Sequence, residues 1–360
     1  MGLRAIHFIV GWVLSISVFA QVQAADLVIV SSEKTAGHVE TAQTIALEFT
    51  RAYPERAQPS ITYLSDSRLQ EAELLQGARV VMTLGSDALA SVLALDVRIP
   101  VVASLIPRAG MERILREAPS KSQASVSAVY LDQPFSRQVE LMRLALPNTR
   151  RVGVLFGSES SQQSPTLQSA LQSKGMELVS GYVGGSGTLF SALKAVLDDT
   201  DVLLAVPDSK VYNGSTISNV LLATYRARVP VIAFSPAYVR AGALMSLHST
   251  PRQIGIQAFA IAKTLLTGIT GISLQYPTDF TVVLNEQVAR SLDLVERGES
   301  VRILRHGKPV AELVPVSRDS EPRRGGDVER DDRLDFRRAI FQRAAVQRHA
   351  GIVHEQRDRR

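Results

Sequence analysis

Residues 201–235 read DVLLAVPDSKVYNGSTISNVLLATYRARVPVIAFS. Two short β-branched runs, Val202–Val206 and Val231–Phe234, flank a longer stretch, Ser215–Ala227, whose apolar residues recur at helical spacing. Pro207 and Pro230 punctuate the runs, so strand, helix and strand follow one another in the order of a βαβ unit with parallel strands. Upstream, the same alternation gives strands at Val152–Phe156 and Glu177–Val179 and helices at Pro165–Lys174 and Leu189–Leu197.

An equivalent series fills the first half. Strands are expected at Leu27–Val30, Ile61–Leu64, Val80–Thr83, Val101–Ser104 and Val126–Tyr130, with helices at His38–Tyr53, Ser86–Leu95 and Phe135–Leu146. Two successive βα series of similar length imply two Rossmann-like α/β lobes, each a parallel sheet covered by helices. Gln253–Thr267 is a further helix and Phe280–Leu284 a further strand, where the chain is free to cross back between lobes. The expected segments are a signal peptide (1–24), an N-terminal lobe (25–131), a C-terminal lobe (132–250), a return crossing with closing helix and strand (251–294), a hairpin (295–318) and a charged, disordered tail (319–360).

Arg4, the apolar run Ile6–Ala20 and the small residues before Ala25 have the layout of a cleavable export signal, which places the mature protein in the periplasm. No second apolar run approaches the roughly 20 residues a bilayer span needs. The absence of cysteine excludes a disulfide framework, a thiol nucleophile, cysteine-ligated zinc and a lipid-modified cysteine. The net charge of +5 comes with arginines crowded into the tail, so no nucleic-acid partner is expected.

Open α/β sheets bind ligands beyond the carboxyl ends of their strands. The loops there carry Ser32, Gly85 with Ser86, Ser104, Asp208 with Tyr212, and Ser235. Ser86 opens a helix, either capping it or standing beside amides that accept a ligand oxygen. Asp208 either receives an ammonium group or caps the next helix, and Tyr212 either lines the pocket or packs the helix start. Gly184–Gly187 lacks the lysine of a phosphate loop and the dinucleotide spacing, which leaves a turn. His38, His248, His306, His349 and His354 show no metal-ligand spacing and no serine sits in a G-x-S-x-G elbow, so neither an enzyme nor a cofactor is expected.

The stretches Leu146–Asn148, Val152–Leu155, Ala205–Asp208, Arg228–Ser235 and Val239–Leu244, with the helix Gly255–Gly268 and Pro277–Asn285, resemble the substrate-binding proteins of ABC transporters with a type I periplasmic fold, in the aromatic amino-acid receptor branch. The likeness runs from Asp26 to Leu294. It implies two lobes joined by a hinge that close on a small-molecule ligand, an inner-membrane ABC permease as partner, and a monomer. The family's cleft loops fall on Gly85 and Ser86, Ser104, Asp208 and Ser235, with Asp208 holding a ligand amino group. The sequence departs at Ser31–Thr35, where a His-Pro motif is expected, and at Lys210–Asn213, which weakens the case for an aromatic amino acid. A periplasmic ligand sensor of the same fold is the alternative role. Glu296–Pro315 resembles a strand pair of Phd- and YefM-type antitoxins and is expected to form a hairpin turning at Gly307-Lys308.

Overall fold

A computed structural model describes residues 25–64, 75–95, 98–119, 125–184, 188–292 and 294, and the backbone of 301–305 and 308–313. The expected export signal, residues 185–187 of the turn expected at 184–187 and the charged tail lie outside these residues.

The chain begins with β1 (Leu27–Ser31), α1 (Ala36–Ala52), β2 (Ser60–Tyr63), β3 (Val80–Leu84), α2 (Ser86–Ala94), β4 (Val101–Ile106), α3 (Arg108–Glu117) and β5 (Val126–Tyr130). The strands β1, β3, β4 and β5 are buried along nearly their whole length, as strands covered by helices on both faces must be. One face packs on α2 and α3 through Val81, Leu89, Val101, Met111 and Ile114. The other packs on α1 through Ile29, Ile45, Phe49 and Met82.

The chain then crosses into α4 (Phe135–Ala145) and runs through β6 (Arg151–Phe156), α5 (Ser164–Gln172), β7 (Glu177–Tyr182), α6 (Leu189–Leu197), β8 (Val202–Leu204), α7 (Ile217–Arg226), β9 (Val231–Ala233), α8 (Pro236–Ala241) and β10 (Met245–His248). It returns through α9 (Pro251–Leu266) and β11 (Leu274–Gln275), and crosses again into β12 (Thr281–Leu284) and α10 (Glu286–Ser291). The first sheet has the order β11-β5-β4-β3-β1-β2 and the second β12-β10-β9-β8-β6-β7. Every pairing is parallel except β10 with β12. The two-lobed α/β architecture read from the sequence is present.

Helix α9 belongs to the first lobe. Ile254, Ala258, Phe259 and Ala262 join the core that holds Leu27, Ile45 and Val102. Gly255 lets it approach α1, since a Cβ there would stand 3.0 Å from Thr44. Thr250 and Gln253 close a capping box at its start.

Three segments therefore connect the lobes, at 131–134, 249–250 and 276–280, and polar side chains tie them together. Gln133 Nε2 donates to Ser249 Oγ at 2.8 Å, and Ser249 Oγ donates to the Asp279 carbonyl at 2.6 Å. Arg137 donates to Gln133 Oε1 and to the Pro277 carbonyl, with its guanidinium 4.6 Å from the Phe280 ring centre. Gln257 accepts from the Thr278 amide and donates to Gln275 and to the Tyr276 carbonyl. Gln133 is 5 % exposed, so these bonds are made away from bulk water, where leaving a donor or acceptor empty is costly.

Beyond the second lobe, β13 (Val301–Arg305) and β14 (Lys308–Leu313) form the expected antiparallel hairpin. Lys308 pairs with Arg305 and is part of β14, so the strand starts one position earlier than a turn at Gly307-Lys308 allows.

Candidate ligand-binding cleft

Strand direction locates the site. β5 ends at Tyr130 and enters the first crossing, and β10 ends at His248 and enters the second. Apart from β12, the strands of both sheets run parallel to them, so the carboxyl ends of both sets of parallel strands face the hinge and one another. β12, the antiparallel strand, starts at the third crossing. The loops between the lobes are therefore strand-end loops leading into helix starts, the ligand-binding position of open α/β sheets.

On the first lobe, Ser32, Gly85 and Ser86 come together. The Ser32 amide donates to the Leu84 carbonyl at 2.8 Å, and the Ser32 hydroxyl accepts from the Ala88 amide at 2.8 Å, capping α2 from the neighbouring loop. Gly85 has φ +92°, and a Cβ there would fall 2.6 Å from Ser32 Oγ and 3.0 Å from His38 Nε2. Only glycine fits both the backbone and this three-way approach. Ser86 opens α2 half-exposed. His38, in the first turn of α1, is 2.8 Å through Nδ1 from Thr35 Oγ1. Burial lowers its pKa from 6.5, and the Glu33 carboxylate pulls the other way. Ser104 lies one strand further, fully buried, its carbonyl accepting from the Gly85 amide. Its hydroxyl has no partner among the described residues.

The second lobe is differently arranged. Asp208 is 4 % exposed. Its Oδ2 accepts from the amides of Gly157, Glu159 and Ser160 and from the Ser160 hydroxyl at 2.8–3.1 Å, and its Oδ1 accepts from the Lys210 amide at 2.9 Å. Five donors fill the carboxylate, which clasps the β6–α5 loop to the β8–α7 loop. Gly157 is part of the clasp, because a Cβ there would stand 2.4 Å from Asp208 Oδ1. Glu159 adds a second tie, accepting from the Ser209 amide and hydroxyl.

Tyr212 is 5 % exposed and packs against Phe234 and Tyr238, with ring centres 6.1 and 6.4 Å away. Desolvation raises its pKa, and its hydroxyl has no partner among the described residues. Ser235 caps α8 by accepting from the Ala237 amide at 3.3 Å. Of the seven residues picked out by sequence, Ser32, Gly85 and Ser86 thus share one corner of the first lobe. Ser104 is buried beside them, Asp208 and Tyr212 are engaged inside the second lobe, and Ser235 holds a helix start.

Sequence reasoning passed over the hinge residues Gln133, Arg137, Ser249 and Gln257. Nothing local marks them, since Gln133 and Ser249 meet across 116 positions.

A family model described as ABC transporter substrate binding protein matches residues 69–304, well over half the chain. The chain belongs to that family. Among solved structures, a ligand-free, open substrate-binding protein with adhesive properties from Clostridium difficile is 15 % identical, with 74 % of this chain and 94 % of that one covered and a TM-score of 0.59. An ABC domain in complex with L-Trp from Streptococcus pneumonia is 17 % identical, with the same coverage and a TM-score of 0.54. A conserved domain protein from Vibrio cholerae is 19 % identical over 75 % of this chain and 94 % of that one, with a TM-score of 0.53. At these identities the likeness establishes the two-lobed fold of a substrate-binding protein. No curated protein sequence matches. Among the described residues, no helix is long and apolar enough to cross a membrane.

Proposed function

We propose that this substrate-binding protein works in the periplasm after export, captures a small metabolite between its lobes and presents it to an inner-membrane ABC permease. The observation that carries the reading is the convergence of both sheets' carboxyl ends on one three-segment hinge. Such an arrangement lets two rigid cores close on a ligand, with the population shifting toward the closed form as ligand is added.

Ser32, Gly85 and Ser86 are the proposed polar contacts on the first lobe, and Ser104 supports them from behind through its carbonyl. Phe234 and Tyr238 supply the apolar wall of the second lobe, packed edge to face at 5.0 Å. Ser235 holds the helix start that carries this wall, and Asp208 holds the neighbouring β8–α7 loop, whose Tyr212 packs against it.

A thermal-shift screen with amino acids, dicarboxylic acids, nucleosides and monosaccharides tests the proposal. A ligand that binds only the folded form raises the melting temperature, by roughly 2.7 kcal/mol of added stability at a hundredfold excess over Kd. At least one compound class is expected to do so. A flat response across every class contradicts the reading.

A further inference from the structure

We propose that His38 is a ligand-contacting residue, its Nε2 donating a hydrogen bond to an acceptor oxygen of the bound molecule. The inference rests on the cleft reading above and assigns a specificity residue to it.

The imidazole stands where the ligand enters. α1 follows β1 directly, so its first turn lies at the carboxyl end of an interior strand of the first sheet, beside the start of α2. The ring is half-buried and pinned at one nitrogen, with Nδ1 2.8 Å from Thr35 Oγ1. Thr35 is the N-cap residue of α1, yet its hydroxyl makes no capping bond to the helix backbone. It is turned to the imidazole instead. Its described partner is Nδ1, and in the proposed tautomer the hydroxyl donates there, which leaves the ring proton on Nε2.

Nε2 itself has no hydrogen-bond partner among the described residues, although it is held against Gly85 and near Ser32. A nitrogen fixed in place, partly withdrawn from water and given no protein partner is poised for an outside one. The chemistry around it selects an acceptor. The Ser86 hydroxyl makes no bond to a described residue, and the N-cap side chain of α1, Thr35, makes no bond to its own helix backbone. Donors thus dominate this corner, and a carboxylate or carbonyl oxygen fits them. Desolvation keeps the imidazole neutral near pH 7 against the opposing pull of Glu33, so it serves as a hydrogen-bond donor without carrying a fixed charge.

Two substitutions separate the nitrogen from the ring. His38→Gln places an amide donor near the position of Nε2, whereas His38→Phe keeps the ring volume and removes the nitrogen. Calorimetric titration of every compound that stabilises the wild type in the panel above gives Kd for each variant, and unliganded melting curves control for folding. The expected result is a loss of roughly tenfold in affinity for His38→Phe, the size of one hydrogen bond to a charged or strongly polar oxygen, with His38→Gln within about threefold of wild type. Unchanged affinity in His38→Phe overturns the proposal while leaving the binding function intact. So does an equal loss in both variants accompanied by a lower unliganded melting temperature, which marks a packing role. If no compound in the panel binds the wild type, the cleft reading fails and the assignment of His38 falls with it.

Discussion

The facing loops of the two lobes occupy equivalent positions at the ends of parallel strands, yet their polar groups are spent differently. In the second lobe the conspicuous acid, Asp208, accepts five hydrogen bonds from its own lobe, and Glu159 is bound to Ser209. In the first lobe His38 Nε2 and the Ser86 hydroxyl have no bond to a described residue, and Ser32 already holds α2 with its oxygen while its proton stays available. A buried carboxylate with full coordination stabilises a fold, whereas donors left open at a strand end are available to a ligand. On the proposed reading, the second lobe supplies a largely apolar wall and the first supplies the polar recognition.

That contrast is open to breaking by substitution. Asp208→Ala removes an acceptor from four amides and a hydroxyl, at a cost of about 3 kcal/mol. The unliganded protein is then expected to melt roughly 5–10 °C lower by calorimetry. An unchanged unliganded melt with a lost ligand response would instead make Asp208 a ligand contact and reverse the roles of the lobes. Gly157→Ala drives a methyl group into the Asp208 carboxylate and should destabilise by about 1–3 kcal/mol, detectable as a lower urea midpoint.

Acidification acts through His38 and His248, whose pKa values burial lowers from 6.5. Their stabilising contribution is present above pH 6.5 and is lost as pH falls through the lowered values, because the unfolded chain takes up protons first. The melting temperature should fall as pH drops below 6.5, and the fall should shrink in a His38→Gln, His248→Gln double variant. Equal slopes for the two proteins would refute this. The smallest effect on the unliganded protein belongs to Ser86→Ala, expected within about 0.5 kcal/mol of wild type because its hydroxyl holds nothing in the fold. Its ligand-induced thermal shift should nonetheless shrink, and an undiminished shift would remove Ser86 from the site.

The strands were legible because their burial is written as unbroken β-branched runs: Val80–Thr83 and Val101–Ser104 each grew by only one or two residues in the structure. Helix α3 was not, because its buried face consists of Met111 and Ile114 alone, with Gly110 inside it. Periodicity could identify α9 as a helix but not the sheet it covers, since that depends on Gly255 meeting Thr44. The cluster of Ser32, Gly85 and Ser86 was legible from strand-end logic. The occupation of Asp208 was not, because four of its five donors lie 48–51 positions upstream and no local pattern announces them. His38 escaped for a related reason: it carries no motif, and its significance comes from what lies opposite it on β3 and α2.

The most direct test is a crystal structure of the protein with a compound that stabilises it. The account predicts electron density between the lobes, an acceptor oxygen within hydrogen-bonding distance of Ser86 and His38 Nε2, and the Asp208 clasp unchanged. A ligand bound through Asp208, or on any surface away from the strand ends, would contradict it.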